Sequence, residues 1–167
     1  MTVADSDADR MLVSSGSPFE STIGFSRAVR VGDRVIVSGT APIWPDGSCD
    51  PDAAIQMRRC LEIIIAALRE AGADRSDVVR TRVYLVDGAD AAAIGAVHGE
   101  VFGTIRPAST MIIAGGLLDP RWRVEVEAEA VVARDAADIE WRSRELGHPL
   151  VDLESKEAVQ SILDERA

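Results

Sequence analysis

The chain is expected to fold as an α+β domain, one sheet carrying two helices on a single face. Three observations carry this expectation. From Val124 to Val132, apolar residues (Val124, Val126, Ala128, Ala130, Val132) alternate with Glu125, Glu127 and Glu129. That period of two gives a strand with one apolar side and one acidic side. Ile55, Leu61, Ile64, Ile65 and Leu68 recur at helical spacing until Gly72. The remaining periodic segments then fall in the order β-β-α-β-α-β-β, which suits two helices packed on one sheet.

Taken in order, residues 1–17 are rich in Asp, Ser and Gly and are expected to be a flexible N-terminal extension. Residues 28–31 and 34–39 read as two short strands joined by a tight turn at Gly32-Asp33. Two prolines and Asp46-Gly47 make residues 40–49 a loop or hairpin. Asp50-Pro51 is expected to start the first helix, Asp50 as cap and Pro51 where a missing N–H costs nothing. Val79, Thr81, Val83 and Leu85 alternate with Arg80, Arg82 and Tyr84, giving a third strand. A second helix runs from about Asp90 to Phe102, with Ile94, Val97, Val101 and Phe102 on its apolar side and Gly103 after it. Pro107 fits the opening residue of the next strand, because it cannot donate to a sheet. The run from Ser109 to Ala114 follows, then breaks at Gly115-Gly116 and Asp119-Pro120 before the alternating last strand. Residues 135–167 mix charges with Ile139, Trp141 and Leu146 and read as a partly helical C-terminal extension.

At 167 residues the chain suits one domain with a core of its own. Only 4% of it is aromatic, so that core must be mostly Val, Ile, Leu and Ala. A net charge of -10 repels phosphate backbones and argues against nucleic-acid binding. Cys49 and Cys60 lack metal or disulfide spacing and read as two separate reduced thiols. The acidic start is no signal peptide and no apolar run reaches membrane-spanning length, so a cytoplasmic protein without membrane contact is expected. Helices on one face leave the other face to water or a partner: the glutamate stripe suits water, and the less charged strands suit a second subunit.

Several segments together resemble the RidA family, the reactive-intermediate imine/enamine deaminases, some labelled endoribonuclease L-PSP. They are Ile23-Gly-Phe-Ser-Arg-Ala28, Val35-Ile-Val-Ser-Gly39, Ala71-Gly-Ala73, Asp77-Val-Val79, Arg106-Pro-Ala-Ser-Thr110 and Val124-Glu-Val-Glu-Ala128. The resemblance covers residues 18–134. It implies a chorismate-mutase-like fold, a homotrimer with ligand clefts between subunits, and hydrolysis of small imines without metal or cofactor. It also implies that Glu127 helps place the attacking water, and that the backbone at Ser38 and Gly39 contacts ligand. In the family an arginine two residues after the motif proline grips a substrate carboxylate; Ser109 stands there in this chain. Phe25 replaces a tyrosine, and Met111 a smaller residue. Arg27, and less readily Arg106, are the candidates to stand in for the missing guanidinium.

Read without the resemblance, Glu125, Glu127 and Glu129 form a solvated strand face, and His98 is a helix-edge histidine making one hydrogen bond. Ser109 has no histidine motif around it in the sequence, which reads against a nucleophilic serine. Two function classes follow. One is a cofactor-independent hydrolase, deaminase or isomerase acting on a small imine, enamine or related carbonyl metabolite. The other is a non-catalytic trimer that binds a small metabolite or a protein.

Overall fold

The computed structural model describes residues 10–133. The strands are β1 (Arg10–Val13), β2 (Ala28–Val31), β3 (Arg34–Thr40), β4 (Val78–Leu85), β5 (Ala108–Ile113) and β6 (Val124–Val131). The helices are α1 (Pro18–Ile23), α2 (Ala53–Glu70) and α3 (Ala91–Phe102). One sheet holds all six strands in the order β1-β2-β3-β6-β4-β5. Every pairing is antiparallel except β4 with the edge strand β5. α2 and α3 pack against each other over one face of this sheet.

The core lies between that face and the helices. Val35 and Val37 of β3, Val83 and Leu85 of β4, and Val124 and Val126 of β6 are buried there against Met57, Leu61, Ile64, Ile94 and Phe102. α2 begins two residues later than the Asp50-Pro51 signal suggests. Asp52 is the cap, its carboxylate accepting from the N–H groups of Ala54 (2.8 Å) and Ile55 (3.1 Å). Asp50 instead closes the preceding turn by accepting from Asp52 N–H. Of the residues expected on the apolar side, Leu61, Ile64 and Leu68 are buried while Ile55 is exposed, and Met57 and Cys60 take the remaining core positions. The helix stops at Gly72, whose φ of 73° is a left-handed backbone that suits glycine. There Arg30 donates to the carbonyls of Ala71 (2.8 Å) and Gly72 (3.1 Å), groups a helix end otherwise leaves open.

Two irregularities shape the sheet. The β3–β6 register shifts between Val37 and Thr40, which places a bulge at Ser38-Gly39. The β4–β6 register shifts between Val78 and Arg80, so Val78 rather than Val79 enters the core and Val79 is exposed. Part of the segment expected to be flexible is ordered structure. Arg10–Val13 pairs with β2 at the sheet edge, and Ser17 caps α1. Residues 1–9 and the extension expected at 135–167 lie outside the described residues. Both cysteines are free, and Cys60 is fully buried, which pushes its thiol up. Among the described residues no helix is long and apolar enough to cross a membrane.

Candidate functional site

The helix-free face of the sheet carries the acidic stripe of β6, and its three glutamates are not equivalent. Glu129 faces three arginines: Arg34 (3.4 Å), Arg80 (3.7 Å) and Arg82 (3.4 Å). Glu127 accepts from Arg82 Nη1 and from the Tyr84 hydroxyl, each at 3.0 Å. The β4–β6 register sets this up by placing Arg82 opposite Glu127. The hydrogen bond to Glu127 raises the Tyr84 hydroxyl above its ordinary range and keeps it a donor. Glu125 has no arginine within ion-pair distance and accepts no hydrogen bond within the described residues. It is half-buried, and burial, with the neighbouring charge of Glu127, pushes its carboxyl up; Arg27 opposes this weakly.

Glu125 lies over the Ser38-Gly39 bulge. A Cβ built on Gly39 would overlap Glu125 Oε1, so only glycine leaves room for the carboxyl to lie there. Arg27 holds the bulge through its guanidinium. Its Nη1 donates to Gly39 O (2.8 Å), Thr40 Oγ1 (2.8 Å) and Ser38 O (3.4 Å). Arg27 is only 8% exposed, and its Nε is buried without a partner. Phe25 stacks on this guanidinium, 5.7 Å from ring centroid to Cζ. The Ser38 hydroxyl is turned to Ser26 O at 2.7 Å. Phe25, Arg27, Ser38, Gly39 and Glu125 therefore form one cluster, with Glu127 two residues along the same strand face. Arg27 acts within the chain as a clamp on the backbone rather than as a free cation.

Ser109 and Met111 are elsewhere. Their register with Thr81 and Val83 puts them on the helix-bearing side of the edge strand. Thr81 Oγ1 is hydrogen-bonded to Ser109 Oγ at 3.0 Å, and His98 Nε2 of α3 is 2.9 Å from the same Thr81 oxygen. The His98 ring packs on Phe102 with centroids 4.9 Å apart, and burial lowers its pKa. Arg106 has a φ of 56° and donates its N–H to Phe102 O (2.8 Å). No hydrogen bond or ion pair joins it to Ser109.

A cavity of about 720 Å³ opens beside the bulge on the α2 side, lined by Phe19, Trp44 and Ile63 among others, with Arg27 reaching its wall. Among the described residues no group of three His, Cys, Asp or Glu side chains could hold a metal ion.

The sequence reading named Ser38, Gly39 and Glu127 as candidates without foreseeing the bulge, left Glu125 on a solvated face, and read His98 as a helix-edge histidine making one hydrogen bond, without naming Thr81 as its partner. The alternation of β6 makes its three glutamates look alike; only the cross-strand register tells which one lacks an arginine. His98 and Thr81 are 17 residues apart and meet through helix–sheet packing, which no local motif announces.

Comparison with known proteins gives a consistent result. The family model for endoribonuclease L-PSP matches residues 15–132. An uncharacterized protein of Streptomyces coelicolor is 41% identical over 121 residues, 71% of this chain and 89% of that one. A RutC family protein of Pyrococcus abyssi is 36% identical over 113 residues, covering 66% and 87%. Among solved structures, a Mycobacterium tuberculosis member of the YjgF/YER057c/UK114 family superposes with a TM-score of 0.68 at 46% identity, covering 74% of this chain and 99% of that one.

Proposed function

Because the chain belongs to the RidA (endoribonuclease L-PSP) family, we propose that it is a cofactor-independent hydrolase of a small imine, enamine or related carbonyl metabolite. The observation that carries this reading is the unequal pair on β6. Glu127 is held as an acceptor by Arg82 and Tyr84, while burial raises the neighbouring Glu125. Two carboxyls with different environments can divide acid and base work between them. Water adds to the imine carbon and gives a proton to Glu127; the C=N electron pair moves to nitrogen, which takes a proton from Glu125. The carbinolamine nitrogen then takes the proton held on Glu127, its hydroxyl gives one to Glu125, and ammonia leaves with the carbonyl product, both carboxyls returned to their starting states.

A homotrimer is part of the proposal. Leu12, Val31, Ile36 and Val131 are exposed on the helix-free face beside the glutamates, an apolar patch that fits a second copy of the chain. Light scattering should give three times the 17.9 kDa chain mass. Ammonia release from freshly generated imines tests the chemistry. Glu125→Gln and Glu127→Gln should each lower it by about a hundredfold or more, and unchanged rates in both would remove this reading. Ser109 at the position of the family's arginine favours the second reading, a non-catalytic metabolite-binding trimer. That reading gains if the unmodified protein releases no ammonia from any imine yet still binds small carbonyl compounds.

A further inference from the structure

A polar chain runs from His98 through Thr81 to Ser109. Thr81 is fully buried, its hydroxyl 3.0 Å from Ser109 Oγ and 2.9 Å from His98 Nε2. Its single proton serves one of these partners while its oxygen accepts from the other. With His98 donating from Nε2, Thr81 donates to Ser109, and Ser109 keeps a free hydroxyl proton. Ser109 itself is exposed on the edge strand, so that proton is available to something outside the chain. Packing holds the His98 ring in place, since it rests against Phe102 at the buried end of the chain.

The surroundings of Ser109 set the chemistry of its acceptor. On the same side of β5 its neighbours are Met111 and Ile113, both apolar and exposed. Arg80 and Arg82 face the other side of the sheet, where they pair with Glu129 and Glu127. A carboxylate desolvated against a single hydroxyl and two apolar side chains would lose more hydration than it regains. A carbonyl oxygen or imine nitrogen needs only the one donor.

We propose that the His98–Thr81–Ser109 chain makes Ser109 an outward donor for an uncharged ligand end, so that the site takes amine-derived imines in preference to amino-acid-derived ones. This rests on the imine-hydrolase reading for its substrate class, with Ser109 touching ligand and His98 and Thr81 as positioning residues. The direction of the chain and the charge of the ligand are testable apart from catalysis.

The first measurement is the ring-nitrogen NMR spectrum of the full-length labelled protein at pH 8, with His148→Gln assigning the two histidines. His98 should carry its proton on Nε2; a proton on Nδ1 would reverse the chain and overturn the proposal. The second is binding of two probes of one shape, acetophenone and benzoylformate, the latter bearing a carboxylate. Acetophenone should bind more tightly and shift the His98 ring signals. Ser109→Ala and His98→Leu should each weaken it by about tenfold, the loss of one hydrogen bond, and His98→Gln, which keeps a donor at the Nε2 position, should recover most of that. Tighter binding of benzoylformate, or no effect of Ser109→Ala, overturns the proposal. The third is ammonia release from imines made in place by an amine oxidase and by an amino-acid oxidase. The amine-derived imine should be preferred by about tenfold or more; the reverse preference overturns the proposal. If neither imine is hydrolysed but acetophenone binds as stated, the hydrolase reading falls and the ligand assignment for Ser109 stands.

Discussion

Ser109 and Glu127 face opposite sides of the same sheet. Glu127 points to the helix-free face with Arg82 and Tyr84, while Ser109 sits with Thr81 on the side that α3 covers. One chain therefore cannot bring both to one small ligand. A cleft that uses both must take Glu127 from one copy and Ser109 from another, which gives the proposed trimer a chemical reason beyond burial of apolar surface.

Gly39 separates function from stability. Gly39→Ala would push against the flexible end of Glu125, which can swing away at low cost. Stability should fall by no more than about 1 kcal/mol, while ammonia release should fall as far as in Glu125→Gln. Urea unfolding and the rate assay on one preparation check this; full activity in Gly39→Ala would mean the carboxyl has no need to lie on the bulge.

Arg27 should matter to the fold. Arg27→Met removes the donor to Gly39 O, which is part-buried, and to Thr40 Oγ1, which is buried. The expected loss is about 2–4 kcal/mol, in the range for breaking a buried charged hydrogen-bond set. Thermal unfolding measures it. A loss below about 0.5 kcal/mol would show that Arg27 is not the clamp.

Glu125 predicts a pH dependence with a definite sign. Its carboxyl is raised in the folded state, so the folded protein holds that proton more firmly than the unfolded chain. This contribution is present below the ordinary carboxylate range and is lost as pH rises through the raised value. Relative to Glu125→Gln, which has no proton to lose, the unmodified protein should therefore lose stability as pH rises from 4 to 9. Denaturant titrations at the two ends of that range decide it; a relative stability that rises with pH contradicts the assignment.

Much of the fold was legible because its elements are strongly periodic. The alternation of β6, the apolar stripe of α2 and the Gly32 turn between β2 and β3 each follow from local sequence. What escaped was short or depended on partners. β1 has four residues and no periodicity of its own; it exists because β2 offers an edge to pair with. α1 was signalled by Ser17-Pro18 followed by Glu20, a helix start hidden in a stretch that composition marks as loose. Glu20 then turns to Ser14 and Ser15, and their hydrogen bonds, against the opposing effect of burial, hold its carboxyl below the usual range. The bulges at Ser38-Gly39 and Val79 come from cross-strand register and carry no signature in one strand alone. The candidate site followed the same division: Glu127, Ser109 and Met111 were named from the resemblance, but their separation onto two faces needed the pairing of β4 with both β5 and β6.

The most direct test of a cleft shared between copies is complementation between two inactive proteins. Glu127→Gln and Ser109→Tyr, a side chain meant to block the cleft from its other wall, should each lack ammonia-releasing activity while remaining trimeric. Unfolded together in equal amounts and refolded, they should assemble at random, and roughly a quarter of the clefts would receive both intact faces. The account predicts recovery of about a quarter of the unmodified activity. No recovery from mixed trimers, with both parents folded and the unmodified protein active after the same treatment, would contradict a site built from Glu127 of one copy and Ser109 of another.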